Sequence, residues 1–235
     1  MEKLENNINK MTIGIRFERM YKLLNSWGSI VDDLLNNNKQ KYFDAEYFPK
    51  ISNNEFEKTL IDDDQTRYFK ITPHNLIFSY PLDKYDSFDE NFKWFKNCIN
   101  DVILKLIIKN HDVGNFNRIG IVYEHKFNDK EPLKKVINKI FNTDIVTPRD
   151  VKFSIKGNPP NKVIIDKGAY DYINSIYTIY SDIDNNSYII FDYQYYFKPI
   201  IKDISLFNMD NFIKMSHTSL NNSLYSWIIG DQDDA

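Results

Sequence analysis

Residues 11–125 alternate between two hydrophobic periods, and the order of these periods limits how the chain can fold. Ile13, Ile15 and Phe17 alternate with polar residues, which predicts a strand with one buried face. From Arg19 the apolar residues recur at helical spacing until an asparagine run that begins at Asn36. We therefore expect a strand followed by one amphipathic helix.

A hairpin and a second helix follow in the pattern. The segments 68–71 and 76–80 are apolar and flank a Thr-Pro-His-Asn turn, which predicts two paired strands. Ser87 and Glu90 have the spacing of a capping box, so a helix should begin there. Alternation returns over residues 118–126, which predicts the next strand.

This order, β-α-β-β-α-β, is typical of a ferredoxin-like half and covers residues 11–127. Residues 128–230 predict a second half of order α-β-β-β-α, packed on the first. Residues 1–10 are expected to form a polar tail or helix, and residues 231–235 an acidic tail. The fold class is thus α+β, an antiparallel sheet with helices mainly on one side.

Composition excludes several classes of protein. The 30 basic and 33 acidic residues give a net charge of −3, which lacks the positive field of a general nucleic-acid binder but does not exclude a local basic patch. The single cysteine, Cys98, rules out an internal disulfide and is expected to be a small core residue. The sequence shows neither an apolar signal core nor a run long enough to cross a bilayer, so we expect a cytoplasmic protein without a membrane partner.

Motifs that carry chemistry are not found. The 7 glycines form no phosphate-binding loop, and there is no nucleophile elbow. The acidic clusters at 62–64 and 182–184 are expected to be solvated turns. The four histidines lack the spacing of a metal or catalytic pair; they are His74, His111, His125 and His217. We therefore expect no metal and no cofactor, and we assign no catalytic residue.

A polar residue interrupts the long aromatic segment 188–197 at Asp192. Because alternate residues of a strand point to the same side, Asp192 shares a face with Tyr188, Gln194 and Tyr196. This face is a candidate ligand or partner surface, with the alternative that it simply meets water.

Two helical residues complete the candidate surface. Trp94 lies in an aromatic-basic segment in which Phe92 and Phe95 should point inward, so the indole is expected to be exposed or half-exposed. His217 lies on the predicted closing helix, where it faces either a partner or the core.

Aromatic and basic residues also adjoin at 195–198. Binding of single-stranded nucleic acid needs aromatic residues on an open sheet face with basic neighbours. The glycine-containing strand pattern of RNA-recognition motifs is missing from this chain. Nucleic acid is therefore an alternative partner and not the favoured one.

The chain resembles a sporadically distributed family of bacterial conserved hypothetical proteins over about residues 11–230. The resemblance lies in the order of short motifs: Ile13–Phe17, the Trp27 helix, Tyr47-Phe48-Pro49, the hairpin Ile71–Tyr80, Arg118–Tyr123, Tyr188–Tyr193 and a closing helix with His217. Glu124 follows Tyr123 where family members usually carry asparagine. The resemblance implies a cytoplasmic protein of the kind encoded on mobile or defence islands, and it transfers no catalytic residue.

These observations favour a non-enzymatic protein-interaction or sensor/accessory module, of a bacterial anti-phage defence or mobile-element system. Its expected partner is another protein or a second copy of the chain. The alternative is a protein that acts on RNA or a nucleotide with a double ferredoxin-like scaffold, either as a metal-independent nuclease or as a single-strand binder. A third interpretation, a small-ligand binder, predicts a closed pocket around Asp192.

Overall fold

The computed structural model describes residues 8–36, 50–64, 67–82, 87–127, 150–159, 170–182 and 186–220, together with Lys134 and Asn138. The strands are β1 (Ile8–Phe17), β2 (Lys50–Asn53), β3 (Lys58–Ile61), β4 (Tyr68–Ile71), β5 (Asn75–Pro81), β6 (Phe116–Phe127), β7 (Asp150–Gly157), β8 (Tyr172–Ser181) and β9 (Ser187–Ile201). The α-helices are α1 (Tyr21–Asn25), α2 (Trp27–Leu35), α3 (Phe88–Cys98) and α4 (Met209–Ser219). A π-helix (Ile99–Lys109) continues α3, and a 3-10 turn (Ile204–Leu206) precedes α4.

One antiparallel sheet organises the fold. Within the described residues it contains nine strands in the order β2-β3-β4-β5-β1-β6-β9-β8-β7. The two predicted halves meet inside this sheet, because β6 pairs with β9 from Phe116 opposite Ile201 to Phe127 opposite Ser187. The protein is therefore a mixed α+β structure built on a single large antiparallel sheet.

The N-terminal region differs from its prediction in two places. Residues 8–10 belong to β1 and not to a tail, since Ile8 is buried and pairs with His125 across the sheet. The single helix predicted from Arg19 is divided into α1 and α2 at Ser26, whose backbone leaves the helical region at φ −84° and ψ 10°.

The hairpin of β2 and β3 was not predicted. It pairs Lys50 with Ile61 and Asn53 with Lys58, and β3 then continues the sheet alongside β4. The two strands are only four residues long, too short to display a clear alternation. The neighbouring Tyr47-Phe48-Pro49 motif lies outside the described residues.

Two local predictions are confirmed. The β4–β5 hairpin forms, and its turn is fixed by the Thr72 hydroxyl, which accepts hydrogen bonds from the backbone amides of His74 at 3.3 Å and Asn75 at 3.0 Å. Ser87 is the N-cap of α3 and accepts from the Glu90 amide at 3.3 Å. Both features follow from nearby residues, which is why the sequence predicts them.

The core lies on one face of the sheet. Met11, Ile13 and Ile15 of β1 are fully buried and face buried partners on β5 and β6. Ring contacts attach a different helix to each part of this face: Trp27 of α2 to Phe69 at 6.5 Å, Phe95 of α3 to Phe78 at 5.9 Å, and Phe212 of α4 to Tyr193 at 5.6 Å. The helices α2, α3 and α4 therefore cover the same side, which we call the helix face.

Trp94 is buried, which corrects the expectation that its indole is exposed or half-exposed. Its side chain is 9% exposed and stacks on Tyr80 of β5 with the ring centroids 4.2 Å apart. Cys98, one turn further along α3, is fully buried, as predicted.

The second half contributes three strands and a helix to the described structure. The strands β7, β8 and β9 form a meander, and α4 closes the chain with Asn208 as its N-cap. Of the helix predicted at the start of the second half, only Lys134 and Asn138 are described, and both are helical. The acidic tail lies outside the described residues. Among the described helices, none has the length and apolar character needed to cross a membrane.

Candidate binding surface on the open face of the sheet

The side of the sheet opposite the helix face is the candidate binding surface, and we call it the open face. On β9 it carries Tyr188, Asp192, Gln194 and Tyr196, the set that the alternation predicts. All four side chains lie in one row along the strand; Gln194 is buried and the other three are half-buried. The alternation along β9 therefore places these four side chains on one side of the strand, as the sequence predicts.

A directional chain of hydrogen bonds connects these residues. The Arg118 guanidinium of β6 donates to the Tyr196 hydroxyl at 3.2 Å, and that hydroxyl donates to Gln194 Oε1 at 2.7 Å. Gln194 Nε2 then donates to Asp192 Oδ2. Each group donates to the next, so the chain links the positive charge of Arg118 to the negative charge of Asp192.

The surroundings of Asp192 disfavour its charge. Burial raises the pKa of the Asp192 carboxyl above its usual value, and the Gln194 hydrogen bond and the charges of Arg118 and Lys152 oppose that shift only in part. Asn174, opposite Gln194 on β8, adds a second unfavourable feature: its Oδ1 is enclosed and finds no hydrogen-bonding partner within the described residues. Such an unpaired acceptor costs about 1–3 kcal/mol. The centre of the open face is thus not optimised for stability alone.

One end of the open face is aromatic and basic, and we call it the basic end. Tyr172 of β8 and Tyr196 of β9 stack with ring centroids 4.5 Å apart and planes 7° apart. Arg118 lies over the Tyr196 ring at 5.6 Å, and two lysines lie over the Tyr172 ring: Lys198 at 5.2 Å and Lys156 at 5.7 Å. Cations therefore flank the stacked ring pair, with Arg118 of β6 on the Tyr196 side and Lys156 of β7 and Lys198 of β9 on the Tyr172 side.

Shallow concavities flank this aromatic pair on both sides. One has a volume of about 420 Å³ and is lined by Lys156, Tyr172 and Lys198. The other has a volume of about 410 Å³ and is lined by Arg16, Tyr196 and Lys198 among others. Neither is a closed pocket around Asp192, which the small-ligand interpretation predicted.

The other end of the same hairpin has the same aromatic geometry but a different charge. Tyr180 and Tyr188 stack at 4.9 Å with planes 11° apart. The Tyr188 hydroxyl donates to Asp182 at 3.2 Å, and the pKa of Tyr188 is raised by burial together with the charges of Asp182 and Glu124. We call this the acidic end, and it provides a natural comparison for the basic end.

His217 and Trp94 do not join the open face. His217 lies on α4, where its ring packs against Phe88 at 5.2 Å and Phe92 at 5.0 Å of α3. Trp94 is buried on the helix face against Tyr80. Trp94 therefore joins α3 to the sheet and His217 joins α4 to α3, and neither forms part of the open face.

The remaining histidines are distributed over the molecule. His74 lies in the β4–β5 turn, where Arg19 Nε donates to its Nε2 at 3.4 Å. His111 follows the π-helix, and its Nε2 lies 3.2 Å from Asp33 Oδ2 of α2. His125 is fully buried on β6. No group of three or more histidine, cysteine or acidic side chains with metal-binding geometry occurs among the described residues.

Comparisons with known proteins do not identify the chain. No family model and no curated protein matches it. Two solved structures align with it at 6% sequence identity. The di-domain ARO/CYC StfQ from the steffimycin biosynthetic pathway has a TM-score of 0.24, and the alignment covers 91% of this chain and 94% of StfQ. The di-domain ARO/CYC BexL from the BE-7585A biosynthetic pathway has a TM-score of 0.23, and the alignment covers 97% of this chain and 99% of BexL. These TM-scores are too low to establish a shared fold.

Proposed function

We propose that the protein is a non-enzymatic sensor or accessory module that binds an anionic ligand through the open face of its sheet. The observation that carries this proposal is the set of cations at the basic end: Arg16, Arg118, Lys156 and Lys198. None of the four forms a direct ion pair with a carboxylate of the described residues, and Arg118 is linked to Asp192 through the hydrogen bonds of Tyr196 and Gln194.

The setting and the finer fold assignment belong to the same proposal. The order β4-β5-β1-β6 supports a ferredoxin-like arrangement in the first half, although the β2–β3 hairpin adds two strands to it. The resemblance to a family encoded on mobile or defence islands supports a role in a bacterial anti-phage or mobile-element system. Genes of such systems beside the gene for this protein would support this setting, and a conserved metabolic neighbourhood would contradict it.

Binding to inorganic polyphosphate tests the anionic-ligand proposal. We expect the double variant Lys156→Glu/Lys198→Glu to bind polyphosphate about tenfold or more weakly, measured by calorimetric titration, because it reverses two exposed charges at the basic end. The matched control is Lys109→Glu/Lys214→Glu, which reverses two exposed lysines of the π-helix and α4. An equal loss in both double variants, or no binding by the unmodified protein, would contradict the proposal.

A protein partner is favoured by a second observation, at the edge of the sheet. β7 pairs with β8 on one side, and no other described strand pairs with it, so one row of its backbone groups can accept an added strand. Ile155 in this strand is 57% exposed. We propose that a second copy of the chain pairs through this edge.

The oligomeric state tests the edge-strand proposal. We expect a dimer in solution by light scattering, and we expect Ser154→Pro to convert it to a monomer because proline removes a donor and disfavours strand pairing. Ser154→Thr keeps the backbone donor and should leave the dimer intact. A monomeric unmodified protein, or a dimer that both variants retain, would refute pairing through β7.

A further inference from the structure

We infer that the basic end binds the phosphodiester backbone of a nucleic-acid strand, and that the nucleic acid crosses the β-strands instead of running along one of them. This inference rests on the proposed anionic-ligand function and names the class of ligand. Two observations support it. The cations are distributed across the strands of the sheet, and the rings of Tyr172 and Tyr196 contact each other on one face and cations on the other.

The cations form a row because of the register of the sheet. Arg16 of β1 lies directly opposite Arg118 of β6, and Arg118 lies opposite Tyr196 of β9. Tyr196 in turn lies opposite Tyr172 of β8. Lys156 of β7 pairs with Asn174, two residues along β8 from Tyr172, and reaches the Tyr172 ring diagonally at 5.7 Å. With about 4.8 Å between adjacent strands, the row from β1 to β7 is about 19 Å long. Positive charge along such a row suits a linear polyanion better than a single small anion.

The tyrosine rings hold the cations without neutralising them. Tyr172 and Tyr196 use their inner faces to stack on each other, while the Arg118 guanidinium lies over one ring and Lys156 and Lys198 lie over the other. A ring attracts a cation through its quadrupole and leaves the net charge in place, whereas a carboxylate would cancel it. The row is therefore positively charged and positioned before a ligand arrives.

The same stacking decides how the ligand is recognised. Because the rings of Tyr172 and Tyr196 stack on each other and cations lie over them, these two rings offer bases no free face for stacking, unlike the aromatic residues on the sheet of an RNA-recognition motif. Recognition then depends on phosphates, which carry no sequence information. We therefore expect binding that is insensitive to base sequence and strongly sensitive to salt.

Fluorescence anisotropy with labelled 20-nucleotide strands of oligo-dT, oligo-rU and mixed-sequence DNA tests this inference. If four cations contact phosphates, the affinity should fall by about 50-fold between 50 mM and 200 mM salt, since each contact contributes a slope of about −0.7 for a single strand. The three strands should bind within about threefold of one another. Polyphosphate of equal phosphate number should bind no more tightly than the oligonucleotides.

Variants locate the site and include an internal control. Lys156→Gln/Lys198→Gln removes two of the four cations and should halve the slope of log affinity against log salt. Tyr172→Leu releases both lysines from their ring and should weaken binding severalfold. Tyr180→Leu disrupts the matching stacked pair at the acidic end and should leave the affinity unchanged. Circular dichroism and thermal unfolding would establish that each variant is folded.

The outcomes separate the inference from the proposed function. Binding of polyphosphate without binding of oligonucleotides would overturn the inference and retain the anionic-ligand function. A strong dependence on base sequence, or equal effects of Tyr172→Leu and Tyr180→Leu, would also overturn it. Failure of both probes to bind would overturn the inference and the proposed function together, and would leave a protein partner at the edge strand as the supported interaction.

Discussion

Replacing Trp94 with alanine is expected to lower the free energy of unfolding by about 3–5 kcal/mol, the usual cost of truncating a buried aromatic side chain. The indole stacks on Tyr80 at 4.2 Å and contacts Phe78 at 6.4 Å between ring centroids. Both partners are fully buried residues of β5, so truncation leaves a cavity between α3 and the sheet. The surrounding rings are held by the sheet and cannot close that cavity completely.

Urea unfolding of Trp94→Ala and Lys93→Ala tests this expectation. Lys93 immediately precedes Trp94 on α3 and is exposed, so its truncation should change the free energy of unfolding by less than about 0.5 kcal/mol. A cost below about 1 kcal/mol for Trp94→Ala would show that the indole lies at the surface, as the sequence pattern predicts.

The misplacement of Trp94 has a specific physical cause. The buried residues of α3 are Asn91, Trp94, Phe95 and Cys98, a regular helical stripe that begins with a polar residue. Asn91 is buried because its Oδ1 accepts from the Tyr80 hydroxyl at 3.0 Å and its Nδ2 donates to the Ser87 carbonyl at 3.0 Å. Asparagine on a helix is normally expected to face solvent. The predicted buried stripe therefore included Phe88 and Phe92 instead of Asn91, and this placed the Trp94 indole on the solvent side.

The candidate surface, too, was predictable from the sequence only where it depends on neighbouring residues of one strand. The alternation of β9 placed Tyr188, Asp192, Gln194 and Tyr196 on one face, because neighbouring residues of a strand determine that face. Sequence reasoning missed the partners Arg118, Tyr172 and Lys156, which come from three other strands. Strand order and register bring them together, and neither can be read from spacing along one segment. The signal present in the sequence was the segment 195–198, in which Tyr196 and Lys198 lie two residues apart.

Lowering the pH from 7 to 4 is expected to destabilise the fold by about 3 kcal/mol through His125 alone. The side chain is fully buried, its Nδ1 donates to the Ile189 carbonyl at 3.0 Å, and its Nε2 has no hydrogen-bonding partner in the described part of the chain. Burial lowers the pKa of His125 from 6.5 to about 4, although the hydrogen bond to Ile189 opposes the shift. The folded protein therefore keeps this imidazole neutral over a range in which the unfolded chain protonates it.

The sign of the effect follows from proton binding. Between pH 6.5 and 4 the unfolded state holds more protons at His125 than the folded state, so the free energy of unfolding decreases as the pH falls. Each unit of difference in pKa corresponds to about 1.4 kcal/mol. Because the folded-state imidazole is already half protonated at pH 4, the loss between pH 7 and pH 4 is slightly less than the full difference, about 3 kcal/mol. Urea unfolding at pH 7, 6, 5 and 4 should show a flatter profile for His125→Leu than for the unmodified protein, whatever the variant's stability at pH 7. His74→Gln, which replaces a half-buried turn histidine, should retain the steep profile. Parallel profiles for His125→Leu and the unmodified protein, or a histidine signal that titrates near pH 6.5 in the folded protein and disappears in His125→Leu, would show that the buried imidazole is accessible to protons without unfolding.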